Sequence, residues 1–280
     1  MPGIILLIID PQNDFHEGGS LAVAGATDDS TRIANLIKVC GSEIDEIMVT
    51  LDSHHACHIS HGVYWKNSAG EPAPDFTEIT LQSVKDGTWS PARDEDKEHV
   101  EWYLEQLEGT GRFKHIIWPQ HCLIGTPGHA VVPVLNEALQ EWSVAKHKTI
   151  KFLAKGMNVK TEMYSPFKAE VQIPDDPSTG LNTAVLEELA AADRVLVCGE
   201  SFSHCVNHGL RDLAAALSAA GGAEACARAV LLTDGTSCVA GFESAGAQLV
   251  EDMRALGVQT ATCEEAAKLA KEGSTSCIVS

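Results

Sequence analysis

The chain begins with an uninterrupted run of apolar residues, from Ile4 to Ile9, that ends at Asp10. A second, mostly apolar run at 46–52 also ends in an aspartate, Asp52. Continuous hydrophobicity, without polar residues at every second position, is typical of strands that are buried on both faces, as in a parallel sheet. The same reasoning predicts further strands at 114–118, 149–154, 194–199, 229–234 and 258–261.

Segments with helical spacing alternate with these strands, at 30–40, 206–220 and 245–256. This alternation predicts an α/β fold: a doubly wound, mainly parallel sheet flanked by helices. A length of 280 residues would allow two domains at about 150 residues each. Because the motifs run through one predicted sheet, we expect a single domain over 1–280.

Two segments depart from this pattern. The stretch at about 62–111 contains Pro72, Pro74 and Pro91 and then an acidic helical run, and we interpret it as a surface insertion. Residues 268–280 are predicted to form a flexible tail. Its last four residues, 277–280, match a prenylation pattern, but no polybasic run precedes them, so we assign no lipid anchor.

The composition excludes several classes of protein. With 44% hydrophobic and 21% charged residues the chain is neither disordered nor collagen-like. A net charge of −19 without a basic patch argues against a nucleic-acid partner. The first apolar run is too short to span a membrane and lacks the features of a signal peptide, so no membrane association is expected. Nine cysteines without CxxC pairs indicate a reduced, cytoplasmic protein.

Reactive side chains follow several predicted strands, namely Asp10, Asp52, Lys155 and the turn after Gly199. In open parallel sheets, ligands bind at the carboxyl ends of the strands. Each aspartate alone could simply cap a helix, and a lone lysine is usually a solvated surface residue. The grouping of acid, base and thiol at strand ends favours a functional site.

Cys205 stands where a strand and a tight polar turn lead into a helix. A helix N-terminus favours the thiolate, and its free amides can stabilise an oxyanion. A cysteine nucleophile also needs a proton acceptor and benefits from a nearby cation. Asp10 and Lys155 can supply these. Cys198, inside the preceding strand, is expected to be a core residue.

The stretch 52–61 combines Asp52 with four histidines. Asp52 and His54 lie two residues apart and therefore point to the same side of an extended segment. Carboxylate and imidazole ligands suit zinc, iron or manganese. The alternative is a solvent-facing, histidine-rich loop. The other histidines considered as ligands are His58, His61 and His121.

Together these motifs resemble the nicotinamidase/pyrazinamidase branch of the isochorismatase-like cysteine hydrolases. The resemblance covers about residues 3–260 apart from the insertion, and it rests on the segments 10–15, 18–21, 52–54, 58–60, 118–122, 155–156 and 199–205. It implies a catalytic triad of Cys205, Asp10 and Lys155. The implied reaction, a step of NAD salvage, converts nicotinamide to nicotinate and ammonia through a thioester on the cysteine.

The resemblance also implies one divalent metal ion, with zinc expected and iron or manganese as alternatives. Its ligands fall on Asp52, His54 and His121. His58 matches the position of a fourth ligand in some relatives, and His61 is the competing candidate.

For the substrate, the resemblance implies an aromatic pocket formed by Phe15, Trp118 and, with less support, Tyr164. The implied oxyanion donors are the backbone amides of Ser201 and Cys205, with a cis peptide bond entering Ser201. The subunit arrangement stays open, and a homo-oligomer is compatible with the sequence.

The turn before Cys205 departs from the family pattern. It reads Gly-Glu-Ser-Phe-Ser-His-Cys, whereas relatives usually carry Gly-Leu-Ala-Thr-Asp-Tyr-Cys, so Glu200 and His204 add ionisable groups beside the thiol. The insertion could cover the pocket or form an oligomer contact. Two alternatives therefore stay open: an amidase for another aromatic or carbamoyl amide, or a non-catalytic metal-binding homologue.

Overall fold

The computed structural model describes residues 3–275. These residues contain ten strands: β1 Ile4–Ile9, β2 Glu46–Asp52, β3 Trp65–Lys66, β4 Glu78–Ile79, β5 Ser90–Pro91, β6 His115–Ile116, β7 Lys151–Lys155, β8 Arg194–Gly199, β9 Ala229–Leu232 and β10 Gln259–Ala261. The helices are α1 Ala26–Cys40, α2 Leu81–Lys85, α3 Lys97–Thr110, α4 Pro133–Lys146, α5 Thr183–Ala190, α6 Cys205–Cys226, α7 Glu243–Leu256 and α8 Cys263–Thr275.

Six strands form the central sheet, in the order β10-β9-β8-β1-β2-β7, and every pair is parallel. The chain builds outward from β1 to β7 and then returns to β8, on the other side of β1. The strand order therefore reverses between β1 and β8, and a crevice opens at their carboxyl ends. The predicted doubly wound α/β fold is confirmed.

Helices cover both faces of the sheet. Side chains of α1, α4 and α8 pack with Leu6 and Ile8 of β1, whereas α5, α6 and α7 pack with Ile5, Leu7 and Ile9. Each of these five side chains is buried, which stabilises the fold by about 1.5–3 kcal/mol per side chain. Burial on both faces explains why the strand sequences do not alternate between apolar and polar residues.

One predicted core strand is wrong. The apolar residues at 114–118 contribute only β6, which lies outside the central sheet and pairs antiparallel with β4. The edge of β2 is occupied by β7 instead, with Asp52 opposite Lys155. Ile117 is buried in a small separate core with residues of the insertion, so its hydrophobicity reflects that core and not the sheet.

The insertion is well structured in residues 62–111. It contains β3, β4, β5, α2 and α3, and its buried side chains include Trp65, Tyr103 and Leu104. At the other end of the chain, α8 includes residues 268–275 of the predicted tail. The prenylation-like motif at 277–280 lies outside the described residues. In residues 3–275, no helix combines the length and apolar character needed to cross a membrane.

Candidate active site

A buried ion-pair network lies at the carboxyl ends of β1, β2 and β7. The Lys155 ammonium lies 3.0 Å from Asp10 Oδ2 and 2.9 Å from Asp52 Oδ1, and it donates a 3.0 Å hydrogen bond to the Met163 carbonyl. Burial disfavours the charge on Lys155, but the two carboxylates outweigh it and hold the pKa well above the ordinary value. One lysine therefore connects two acidic side chains inside the protein.

The ends of β1 and β8 are in close contact here. A Cβ on Gly199 would lie 2.0 Å from the Ile9 carbonyl oxygen, so only glycine is accommodated at this position. Asp10 directly follows β1, and its Oδ1 accepts a hydrogen bond of 2.5 Å from the Thr50 hydroxyl. Burial raises the pKa of Asp10, although Lys155 opposes this effect. A raised pKa makes Asp10 a better proton acceptor.

Cys205 is the first residue of α6 and is almost completely buried, with 5% of its surface exposed. Burial raises the pKa of its thiol well above the ordinary value, Lys155 lowers it, and the charge and hydrogen bond of Asp10 raise it further. The expectation that the helix start favours a resting thiolate is therefore countered by burial. The arrangement instead suits a thiol that transfers its proton to Asp10 during attack.

Asp52, His54 and His121 form a compact cluster beside this network. Asp52 Oδ2 lies 3.0 Å from His54 Nε2 and 3.2 Å from His121 Nε2. The Nδ1 atoms of the two rings face the carbonyl oxygens of Gly156, at 3.1 Å, and Pro119, at 2.7 Å. A carbonyl can only accept, so each Nδ1 carries a hydrogen, and each Nε2 is the nitrogen that faces Asp52 and could bind a metal ion in its place once deprotonated.

These three side chains fit a divalent cation. Their ligand atoms lie within 4.8 Å of one another, and all three side chains are buried. A Cβ on Gly156 would lie 2.8 Å from Asp52 Oδ1 and 2.9 Å from the His54 ring, so this glycine leaves space for the cluster. Despite burial, the charges of His54 and Lys155 hold the pKa of Asp52 well below its usual range, which keeps it an anionic ligand.

His58 and His61 are both buried next to His54, with ring centroids 4.4 and 5.3 Å from it. Burial lowers the pKa of both, that of His61 to about 3, so both rings are neutral. The Ser60 amide donates to His58 Nδ1 at 3.2 Å, which places the hydrogen of that ring on Nε2. His61 Nδ1 faces the Ala56 carbonyl at 3.2 Å, so its Nε2 keeps the lone pair. Neither His58 Nε2 nor His61 Nε2 has a hydrogen-bond partner among the described residues.

Aromatic side chains form the wall above the thiol. Trp118 Nε1 donates a 2.9 Å hydrogen bond to the Tyr164 hydroxyl, and the His204 ring lies 5.1 Å from Trp118 and 5.2 Å from Tyr164. Phe15 packs edge-on against His121. The cavity that these residues line measures about 20 Å³, enough for about one water molecule, so an aromatic ring enters only if a side chain of the wall moves.

Three residues of this site were not identified from the sequence. Gln12 and Asp14 bond to the backbone of Asp52 and Cys122, and Glu162 lines the cavity near Asp52 and His54. Gln12 and Asp14 belong to the motif that begins at Asp10. Their polar side chains at a predicted strand end could have identified them as site residues from the sequence. Glu162 does not follow a predicted strand, and no sequence signal pointed to it.

The turn 200–204 includes a cis peptide bond between Glu200 and Ser201, at the position implied by the resemblance. His204 N and Val206 N both donate to the Ser201 carbonyl, at 3.1 Å. The proposed oxyanion amides of Ser201 and Cys205 therefore belong to one compact turn.

Comparisons with known proteins show which proteins this chain resembles. No protein-family model matches the chain. A nicotinamidase from Acinetobacter baylyi is 25% identical over 201 residues, which cover 72% of this chain and 70% of the relative. The resemblance to the nicotinamidase branch is thereby confirmed, and an amidohydrolase is the class of enzyme that it supports.

Solved structures share the fold at lower identity. The yeast nicotinamidase bound to the inhibitor nicotinaldehyde is 22% identical, with a TM-score of 0.62 over 92% of this chain and 99% of that one. The Pyrococcus horikoshii pyrazinamidase in complex with zinc is 19% identical, with a TM-score of 0.55 over 93% of this chain and 99% of that one.

Proposed function

We propose that this amidohydrolase of the nicotinamidase branch converts nicotinamide to nicotinate and ammonia through a thioester on Cys205. The observation that carries the proposal is the position of Lys155. Its ammonium group contacts Asp10 of the proposed catalytic triad and Asp52 of the candidate metal site. A nucleophile, its base and a cation site thus share one buried crevice. The A. baylyi nicotinamidase supports the choice of substrate.

In the first half of the reaction, Cys205 Sγ attacks the carboxamide carbon while Asp10 accepts the thiol proton. The Lys155 ammonium offsets the negative charge of Asp10 and Asp52 before the transfer. Backbone amides of Ser201 and Cys205 stabilise the oxyanion of the tetrahedral intermediate. Asp10 then returns the proton to the departing nitrogen, ammonia leaves, and the acyl group remains on sulfur.

In the second half, water attacks the thioester carbon and Asp10 again accepts a proton. The carbon–sulfur bond breaks, the cysteine regains its proton and nicotinic acid is released. Trp118, Phe15 and Tyr164 enclose the pyridine ring and exclude bulk water from the acyl group.

Asp52, His54 and His121 would hold the metal ion. We favour His61 over His58 as an additional ligand because His58 Nδ1 accepts from the Ser60 amide, whereas His61 Nδ1 faces a carbonyl and leaves Nε2 available. When bound, a divalent cation would supply positive charge that fixes the pyridine nitrogen and orders water. Zinc is the proposed metal, supported by the zinc complex of the Pyrococcus horikoshii pyrazinamidase, with iron and manganese as alternatives.

The test is ammonia release from nicotinamide by the wild type, by Cys205→Ala and by Cys40→Ala, which removes a buried thiol outside the site. We expect no turnover from Cys205→Ala and near wild-type turnover from Cys40→Ala, together with an acyl adduct on Cys205 in quenched wild-type samples. Full turnover by Cys205→Ala would contradict the mechanism.

Product analysis over a panel of substrates separates the alternatives. Preference for pyrazinamide, an N-carbamoyl compound or isochorismate over nicotinamide would identify a related hydrolase. A wild-type protein that binds metal but hydrolyses none of these compounds would indicate a non-catalytic homologue.

A further inference from the structure

A second cavity, here called the outer cavity, adjoins the aromatic wall of the active site. It measures about 610 Å³, which is within the range of small-molecule sites, about 300–1,000 Å³. The side chains of Tyr164 and His204 line both the outer cavity and the small cavity beside Cys205. The two cavities are therefore neighbours, and a movement of either side chain would join them.

Apart from histidines, the charged side chains that line the outer cavity are all cations, namely Arg112, Lys114 and Arg211. This contrasts with the net charge of −19 of the chain. Each cation contacts at least one acid, but none of these acids is part of the lining: Glu78, Glu170, Asp212 and Asp252. An anion in the outer cavity therefore lies nearer to the cations than to their acidic partners, and the cavity favours a negative charge.

Arg112 has hydrogen-bond donors left for such an anion. Its Nε lies 3.5 Å from Glu170 Oε2, and its Nη2 donates to Asp212 Oδ1 at 3.4 Å and to the His208 carbonyl at 3.3 Å. These contacts are longer than ordinary N–H···O hydrogen bonds of about 2.7–3.2 Å. A guanidinium has five N–H groups in a planar fork that matches a carboxylate. Arg112 is partly exposed, so it can pair with a carboxylate that enters the cavity.

Aromatic side chains supply the rest of the recognition surface. Phe113, Tyr164 and Phe242 line the outer cavity. The Phe113 ring lies edge-on to Tyr164 with centroids 4.7 Å apart, and the His204 ring lies 4.8 Å from Phe242. Such side chains pack favourably with a flat ring. Cations and aromatic rings in one cavity suit a ligand that combines an aromatic ring with a carboxylate.

We propose that the outer cavity is a second binding site, for aromatic monocarboxylates, in which Arg112 pairs with the carboxylate. The natural ligand is the product of the proposed amidase reaction. The inference rests on that function, because the hydrolysis converts a neutral amide into an anion of this class. The product finds an opposite charge across Tyr164 and His204, whereas the neutral substrate does not.

Calorimetric titration with benzoate tests the site, because benzoate has the ring and the carboxylate but neither an amide nor a ring nitrogen. We expect one benzoate to bind per chain. Benzyl alcohol, which lacks the charge, and acetate, which lacks the ring, should bind at least about tenfold more weakly. Inorganic phosphate should also bind more weakly than benzoate. Equal affinity for benzoate and any of these three probes would overturn the proposed ligand class.

Two variants locate the bound benzoate. Arg112→Gln removes the cation, whereas Ala245→Phe fills the outer cavity and removes no charge. Ala245 lines the cavity from α7, and Ala247 is exposed on the same helix outside the lining, so Ala247→Phe is the matched control. We expect benzoate affinity to fall at least about tenfold in Arg112→Gln and Ala245→Phe and to stay near the wild-type value in the control. Unchanged affinity in either variant, or an equal loss in the control, overturns the proposal. If Arg112→Gln does not fold, the two alanine variants decide.

Competition tests whether the product occupies the same site. Nicotinate should displace benzoate from the wild type, and a failure to do so overturns the assignment to the product. If benzoate and nicotinate bind as expected but the protein does not hydrolyse nicotinamide, only the proposed function is contradicted. If nicotinamide is hydrolysed and benzoate does not bind, only the inference about the outer cavity is wrong.

Discussion

The side chain of Gln12 makes two hydrogen bonds with the backbone of Asp52: Nε2 donates to the carbonyl and Oε1 accepts from the amide, each at 2.7 Å. Gln12 follows β1, so it connects the candidate metal site to the strand that precedes Asp10. We expect Gln12→Ala to weaken metal binding by about 10–100-fold, the usual cost of losing a group that orients a ligand.

Competition titration with a chromophoric chelator measures that affinity for Gln12→Ala. The control is Gln82→Ala, at an exposed position of α2, which should bind metal as the wild type does. Equal affinities in all three proteins would show that Gln12 does not orient Asp52.

Removal of His58 and removal of His61 should have different effects on metal affinity. His61 Nε2 has a free lone pair, whereas the Nε2 of His58 carries the hydrogen. We expect His61→Ala to lower metal affinity by at least tenfold, in the range for perturbed metal sites, and His58→Ala to leave it near the wild-type value. Metal content after dialysis and chelator competition measure both, and the reverse order would identify His58 as the ligand.

The insertion reaches the aromatic wall through Phe76, whose ring lies edge-on to Trp118 with centroids 5.9 Å apart. Such pairs contribute about 0.5–1.5 kcal/mol. We expect Phe76→Ala to raise KM for nicotinamide about threefold to tenfold, because Trp118 loses a support, and to leave kcat nearly unchanged. Steady-state kinetics provide the measurement.

Phe152→Ala is the matched control for Phe76→Ala. Phe152 is 45% exposed on the edge strand β7, and Phe76 is 57% exposed. An unchanged KM in Phe76→Ala, or an equal rise in the control, would show that the insertion does not influence the pocket.

The small core of the insertion should unfold together with the sheet if the chain is one domain. Leu104 is completely buried in that core, so Leu104→Ala should lower the free energy of unfolding by about 2–5 kcal/mol. Urea unfolding followed by circular dichroism should show one transition, shifted to lower urea. Leu256→Ala, at a position 41% exposed, should change stability little, and two separate transitions would contradict the single-domain prediction.

Sequence reasoning recovered the central sheet because its strands carry an unmistakable pattern. The run from Ile4 to Ile9 is buried on both faces in a sheet covered by helices, and it lies in the middle of six strands. The segment at 114–118 has a similar pattern but belongs to another core. Local hydrophobicity indicates that a residue is buried, but it does not indicate which other segments of the chain bury it.

The pKa values of the candidate catalytic groups could not be predicted from the sequence, for a related reason. A pKa depends on burial and on charges that lie near in space but far along the chain, such as Lys155 beside Asp10 and Asp52. The start of a helix at Cys205 could be predicted, whereas the burial that raises the pKa of its thiol could not.

The sequence by itself determined the fold class and predicted a set of candidate site residues, because both depend on local pattern and residue type. Only the tertiary structure decided how they meet: that Lys155 contacts both Asp10 and Asp52, and that His61 Nδ1 faces a carbonyl whereas His58 Nδ1 accepts from an amide. Hydrogen bonds act over about 3 Å. Contacts of that range between distant segments exist only once the strands have brought them together.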